Sequence, residues 1–267
     1  MRDSTTIEIC ALASGSNGNC YYIGNHNDAV LIDAGISTRQ LMLRFRQVGL
    51  DPSKVKALFI SHEHSDHARG MQVLSKKLGI SVYMTTTTYY SLPRPFRPDF
   101  IKFFKPSETI HIGTLAVHSF LKNHDAAEPC SFRIEHNGKS VGVLTDIGEP
   151  CANVTGHVSQ CNALFLESNY DEKMLMNGNY PWYLKTRVSS AKGHLSNMQA
   201  LQLVQEHAGP GLECIFLSHL SQENNTPEIA MATFEPVKDK FRIKLTHRHQ
   251  PAEVYTLGPP IQKTLFS

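Results

Sequence analysis

Short apolar runs and helical stripes alternate along the first third of the chain. Residues 7–12, 21–24 and 30–33 read as strands, joined by a Gly/Ser/Asn-rich turn at residues 14–19 and a polar link at 25–28. Ser37 is placed to cap a helix that carries Leu41, Phe45 and Val48 on one face and stops at Gly49. Met71, Leu74 and Leu78 mark a second amphipathic helix, ended by Gly79, and residues 80–84 a further strand. Strands recur at 101–104, 109–112 and 115–121. Asn137-Gly138 then signals a hairpin between strands at 131–135 and 140–145. A strand at 163–167, a helix at about 196–207, a strand at 214–217 and a helix from Pro227 complete the pattern. Each half passes from adjoining strands to alternating strand and helix, with no short repeat and no linker to divide it. The expectation is one α/β domain over residues 1–267, two stacked mixed sheets with outer helices.

The densest chemistry follows the apolar run at residues 57–60, where His62, His64, Asp66 and His67 stand within six positions. In an extended segment His62 and His64 point to one side, because side chains alternate with period two. A helix starting near Asp66 would swing that carboxylate and His67 toward a second point nearby. Such a cluster can hold two metals a few ångströms apart. It is not the H-E-x-x-H zinc helix, since Asp66 stands where the second histidine should be.

Composition narrows the rest. The 267 residues are 41% hydrophobic, enough for an ordinary core, and no run approaches the ~18 apolar residues of a membrane span. The N-terminus carries no signal-peptide apolar region, so a cytoplasmic protein without membrane contact is expected. Six scattered cysteines with no C-x-x-C pair read as free core thiols. A net charge of +2 does not argue for nucleic acid, so any basic surface must be local.

The order of the motifs resembles the metallo-β-lactamase superfamily. His62-x-His64-x-Asp66-His67 after an apolar strand, with Leu31-Ile-Asp-Ala-Gly35 upstream, carries the resemblance, which continues in order to Leu220. It implies the αββα four-layer sandwich, two mixed sheets with outer helices. It also implies two divalent metal ions, Zn or Mn. His62, His64 and His124 would hold one and Asp66, His67 and His219 the other, with Asp146 between them. Lactamases proper have Cys at the bridging position, so Asp146 points to the phosphodiesterase and thioesterase branches. Leu164-Phe-Leu-Glu167 and Gly193-His-Leu-Ser196 resemble segments of the ribonuclease Z type. There the extra histidine sits by the scissile phosphate and the glutamate orients it, which makes Asp66, His194 and Glu167 the expected catalytic residues. The wording of residues 13–19, 180–185, 193–197 and 219–225 is similar to the YycJ/WalJ group of 5′→3′ exodeoxyribonucleases.

Two cations roughly 3.5–4 Å apart lower the pKa of a shared water to a bridging hydroxide and stabilise phosphoryl charge. Asp33, ending a strand before Gly35, is either an acceptor of turn amides or the group that fixes a ligand histidine's tautomer. Ser14, Ser16, Asn17 and Asn19, with Gly15 and Gly18, form either a phosphate nest or a tight hairpin turn. Tyr180, Trp182, Lys185 and Arg187, with Ser196 nearby, are the expected substrate contacts, since aromatics interleaved with positive charge stack and track single strands. Arg94, Arg97, Lys102 and Lys105 add charge in a Pro-rich loop. The expectation is a nuclease acting on nucleic acid, DNA above all, with the oligomeric state, homodimer included, left open. The rivals are a phosphodiesterase for small cyclic or nucleotide substrates and a glyoxalase-II-like thioesterase.

Overall fold

Alternation within apolar strands builds the layers. In the computed structural model, which describes residues 6–258, strand β1 (Ile7–Ala13) sends Ile7, Ile9 and Ala11 to one face and Cys10 and Leu12 to the other, and all five are buried. A strand buried on both faces lies between two layers. Strands β2 (Cys20–Gly24) and β3 (Ala29–Ile32) continue it antiparallel. Strands β4 (Val55–Phe59), β5 (Ser81–Met84) and β6 (Ile101–Phe103) add in parallel. The second sheet repeats the scheme. Strands β7 (Thr109–Ile112), β8 (Leu115–Leu121), β9 (Cys130–His136) and β10 (Lys139–Leu144) run antiparallel. Strands β11 (Ala163–Glu167), β12 (Cys214–Ser218) and β13 (Arg242–Leu245) follow in parallel. Strand β14 (Tyr255–Leu257) returns to pair with β1, so each sheet has seven strands.

Inward residues of the two sheets form the central core, where Phe59 stacks on Tyr83 at 4.7 Å and meets Phe132 at 5.6 Å. Each such ring contributes about 1.5–3 kcal/mol by leaving water. Helices α1 (Thr38–Val48), α2 (Ser65–Ala68), α3 (Met71–Leu78) and α4 (Thr86–Ser91) follow strands of the first sheet. The apolar faces of α1 and α3 cover its outer side through Leu41, Phe45, Met71 and Leu74. In the second half come α5 (Ala152–Val158), α6 (Glu172–Asn177), α7 (Trp182–Val188), α8 (Asn197–His207) and α9 (Pro227–Thr233). Of these, α5, α8 and α9 cover the second sheet with Val154, Val158, Leu201, Val204 and Ala230. The result is the αββα sandwich. Ser37 caps α1, and Gly49 closes it in the left-handed region at φ 71°. Asn137 and Gly138, at φ 47° and 78°, make the hairpin between β9 and β10. Six free cysteines, five of them buried, agree with the reading as thiols.

Candidate metal centre

Ligand side chains gather where the strands of both sheets end. Beyond β4 the chain passes His62 and reaches His64, the residue that precedes α2; Asp66 and His67 lie within that helix. From the second sheet come His124 after β8, Asp146 after β10 and His219 after β12. The rings of His62, His64 and His124 form a triangle with centroids 4.6, 5.0 and 5.2 Å apart. Beside it, Asp66 Oδ2 lies 3.4 Å from His67 Nε2 and 3.6 Å from His219 Nε2. Asp146 stands between the triads: one oxygen is 2.9 Å from His67 Nε2, the other 3.5 Å from His219 Nδ1 and 4.0 Å from His124 Nε2. Within each triad the donor atoms lie within 4.8 Å of one another.

This arrangement fits divalent cations on its own geometry. His124 Nε2, His219 Nε2 and Asp146 Oδ2 are buried without a hydrogen-bond partner; the 2.9 Å approach to His67 lacks hydrogen-bonding geometry. Buried orphan acceptors are rare, and one ring nitrogen in each triad with a carboxylate oxygen between them is what cations would satisfy. The other ring nitrogens are engaged. His67 Nδ1 donates to Asp33 Oδ2 at 2.7 Å, His124 Nδ1 to the Gly193 carbonyl at 3.1 Å, and His219 Nδ1 to Glu167 Oε1 at 3.0 Å. Such partners fix the tautomer and turn the Nε2 lone pair inward. The second oxygen of Asp33 accepts the Ser61 amide beyond β4 at 2.8 Å. Glu167 is shared: Oε1 also accepts from His194 Nδ1 at 2.8 Å, while Oε2 accepts the Ile147 and Leu195 amides.

Local backbone makes this possible. Asp33, Asp146 and His219 adopt left-handed φ values of 63°, 54° and 57°, turning the chain sharply just past strands β3, β10 and β12. Non-glycine residues there cost about 1–3 kcal/mol each, and such strain collects at functional sites. Gly35 must stay bare, because a Cβ on it would lie 1.6 Å from the Asp66 carbonyl oxygen. That carbonyl accepts the Asn19 amide, Asn19 accepts from Gly35, and the Ala34 amide donates to His67, so the turn after β3 is laced to α2.

Charge divides the triads. Burial disfavours the charged form of His67 and His219, but the surrounding Asp66, Asp146, Asp33 and Glu167 outweigh it. His67 is held well above the usual histidine range and His219 is pushed up to about 10. Burial depresses His62 and brings His124 down to about 4, with Lys122 adding to both shifts. Lys122 is itself buried and donates to the Thr145 carbonyl beside Asp146. Burial raises the Glu167 carboxyl, but His194 and the hydrogen bonds from His194 and His219 prevail and hold it at about 2.

Of the expected substrate contacts, three are corrected. Ser14 and Asn19 are buried and spent within the fold. Ser14 Oγ accepts the His219 amide and bonds Tyr21, while the Asn19 amide meets Asp66 and His67. The turn at residues 14–19 thus serves as a buttress, with only Ser16 and Asn17 exposed. Ser196 is fully buried as the cap of α8 and donates to Glu172. Helix α7 presents Trp182 and Tyr183 at 69% and 74% exposure. Tyr180 packs on a small cluster of Tyr170, Leu175 and Val188. Lys185 donates to the Met176 carbonyl, and Arg187 pairs at 2.6 Å with Asp125, whose other oxygen is 3.4 Å from His124 Nε2. Sequence reasoning missed Arg248. It bonds Asn17 Oδ1 and the Leu220 carbonyl, tying the buttress turn to the His219 loop, and no spacing signal marks it.

Comparison with known proteins agrees. A β-lactamase superfamily domain model matches residues 28–216. The chain is 33% identical over 239 residues to the exodeoxyribonuclease YycJ of Bacillus anthracis, covering 88% of this chain and 90% of that protein. It is 33% identical over 227 residues to the exodeoxyribonuclease WalJ of Streptococcus pneumoniae, covering 83% and 84%. Among solved structures, the metallo-β-lactamase fold protein YhfI of Bacillus subtilis superposes with a TM-score of 0.71 at 16% identity, over 94% of this chain and 100% of that one.

Proposed function

The chain belongs to the β-lactamase superfamily, and on that footing we propose that it is a dinuclear metal-dependent phosphodiesterase, an exodeoxyribonuclease that degrades DNA 5′→3′. The observation that carries the reading is the shared Glu167 oxygen, which accepts from His219 and from His194 alike. One of these histidines is an expected ligand; the other has no place in either triad and keeps its Nε2 for a substrate. A thioesterase needs no such second histidine. A phosphodiester does, because the departing alkoxide must be protonated.

His62, His64 and His124 would hold one ion, Asp66, His67 and His219 the other, with Asp146 shared. When bound, the ions neutralise phosphoryl charge and acidify water, the contribution expected of a two-metal phosphodiesterase. His194, with a side chain 19% exposed at the edge of the centre, places its ring beside the scissile phosphate and gives a proton to the leaving oxygen. Glu167 keeps that ring oriented through Nδ1. Asp66 is ionised, its carboxyl held below the usual range against burial by the neighbouring His67 and His219, and is placed to take a proton from the attacking water. The DNA assignment rests on the names of the two relatives and on α7. There Trp182 and Tyr183 offer ring faces to bases and Arg187 stands beside Asp125 at the centre. No helix among the described residues is long and apolar enough to cross a membrane.

The test is purified protein on end-labelled single- and double-stranded DNA and RNA, with Mn²⁺, Mg²⁺ and Zn²⁺ in turn. Stepwise release from the 5′ end of DNA, abolished by Asp146→Ala, is the expected result. Turnover confined to a cyclic phosphate or a thioester would overturn it.

A further inference from the structure

Exposed aromatic surface is concentrated at the β6 edge of the first sheet. Eleven large apolar side chains are exposed among the described residues; four of them, Tyr90, Phe96, Phe100 and Phe103, fall between positions 90 and 103. All four are rings. Tyr89 joins two of them, meeting Tyr90 and Phe103 edge-on at 5.3 Å each. Arg97 lies over both tyrosines, 5.0 and 5.3 Å from their centroids, and donates to the Leu92 and Tyr90 carbonyls, so this part of the surface is rigid. Arg94, Lys102 and Lys105 are exposed along the same edge, Lys102 on the other face of β6 from Phe103, beside Tyr83. The one acid between residues 80 and 105 is Asp99, and Lys76 pairs with it at 2.9 Å.

Its position in the fold is informative. Phe103 pairs with Met84 in β5, one step beyond the Tyr83–Phe59 pairing of β5 with β4. It therefore stands at the end of the sheet from which the chain leaves for His62, two strands away, or about 10 Å by ordinary strand spacing.

Resting on the reading of the centre as a nuclease, we propose that the α4–β6 edge is a second single-stranded DNA contact, separate from α7, which holds the strand by stacking on Tyr90, Phe96 and Phe103 and by phosphate contact with Arg94, Lys102 and Lys105. Solvent-facing rings interleaved with unopposed cations suit a polyanion whose bases can unstack onto them. A second copy of this chain fits less well. A two-fold contact here would set the same cations against one another, with Asp99 already paired to Lys76 and Glu108 held by the Lys105 amide.

Fluorescence anisotropy with a long phosphorothioate oligodeoxythymidylate, which resists cleavage, tests this against a trinucleotide. Phe96→Ala and Phe103→Ala should each weaken the long strand about tenfold. Lys102→Glu should flatten its salt dependence by about 0.7 per lost phosphate contact. Trinucleotide binding, melting temperature and hydrolysis of bis(p-nitrophenyl) phosphate should stay as in wild type. Unchanged binding of the long strand by all three variants overturns the proposal. So does a change from dimer to monomer in sedimentation with DNA affinity intact, which assigns the surface to a second copy. If wild type cuts no polynucleotide yet the variants still weaken binding, the nuclease reading fails and the DNA contact stands.

Discussion

Replacing Glu167 with glutamine changes one atom and should reverse the polarity of the centre's hydrogen bonding. The native carboxylate accepts four bonds: from the Ile147 and Leu195 amides at 2.7 and 3.3 Å, and from His194 and His219 at 2.8 and 3.0 Å. The backbone amides cannot become acceptors, so the glutamine oxygen must stay with them and its NH₂ must face the two imidazoles. Each ring then has to give up its Nδ1 proton and hold its one remaining proton on Nε2. For His219 that blocks the lone pair meant for a cation; for His194 it alters the atom facing substrate. Two charge-assisted bonds become neutral ones, a loss of about 1 kcal/mol each, or about 2 kcal/mol of metal-free stability. Affinity for the second ion should fall about 10–100-fold, the usual effect of losing a ligand's orienting partner. The wild-type advantage is pH-dependent in a defined sense. The folded carboxyl sits near 2 against 4.5 for the free group. Its stabilisation is therefore complete above about 4.5 and lost as pH falls through about 2. Chelator competition, thermal unfolding of metal-free protein and ¹⁵N spectra of the imidazoles measure the three effects. Wild-type affinity for both ions in Glu167→Gln, with His219 still protonated on Nδ1, would refute the reasoning.

Three further outcomes are expected. His67 is raised and His219 stands near 10, so metal-free protein carries both protons at neutral pH; the stability they give is full below 6.5 and lost as pH rises through the raised values. Loading the Asp66–His67–His219 triad should release up to two protons, with affinity rising with pH, and calorimetry in buffers of different ionisation enthalpy that finds no release would sink this. His194→Ala should leave metal content and melting temperature nearly unchanged while lowering phosphodiester turnover about 10²-fold or more; full turnover would remove His194 from the chemistry. Gly35→Ala forces Asp66 away from the turn after β3, so it should cost about 1–3 kcal/mol of stability by overpacking and lower metal content, whereas a wild-type melting curve would show that the lacing yields.

The parts legible in the sequence are those with a period or a fixed order. Short apolar runs between turn residues located most strands, and Leu41, Phe45, Met71 and Leu74 located the covering helices. The His62–His67 cluster announced itself because its ligands are local. His124, Asp146 and His219 did not: they lie 57 or more positions beyond His67 and meet it only because both sheets end at one place. Order within a known family supplied them. Helices α4 to α7 were missed because each has six or seven residues, too short for a 3.6-residue period to show. The roles of Ser14, Asn19 and Ser196 were misjudged for another reason. A polar residue near a site can face the substrate or hold the wall, and only burial separates the two.

The left-handed turns at Asp33, Asp146 and His219 bear on where heat resistance can be gained. Glycine at any of the three would relax the backbone by about 1 kcal/mol, since it adopts those angles without penalty. That gain is outweighed at residues 146 and 219, where replacement also removes the charge pairing among Asp146, His67 and His219. Breeding a hardier enzyme means leaving those three angles alone and seeking gains in the outer helices, where no ligand depends on the bend of the chain.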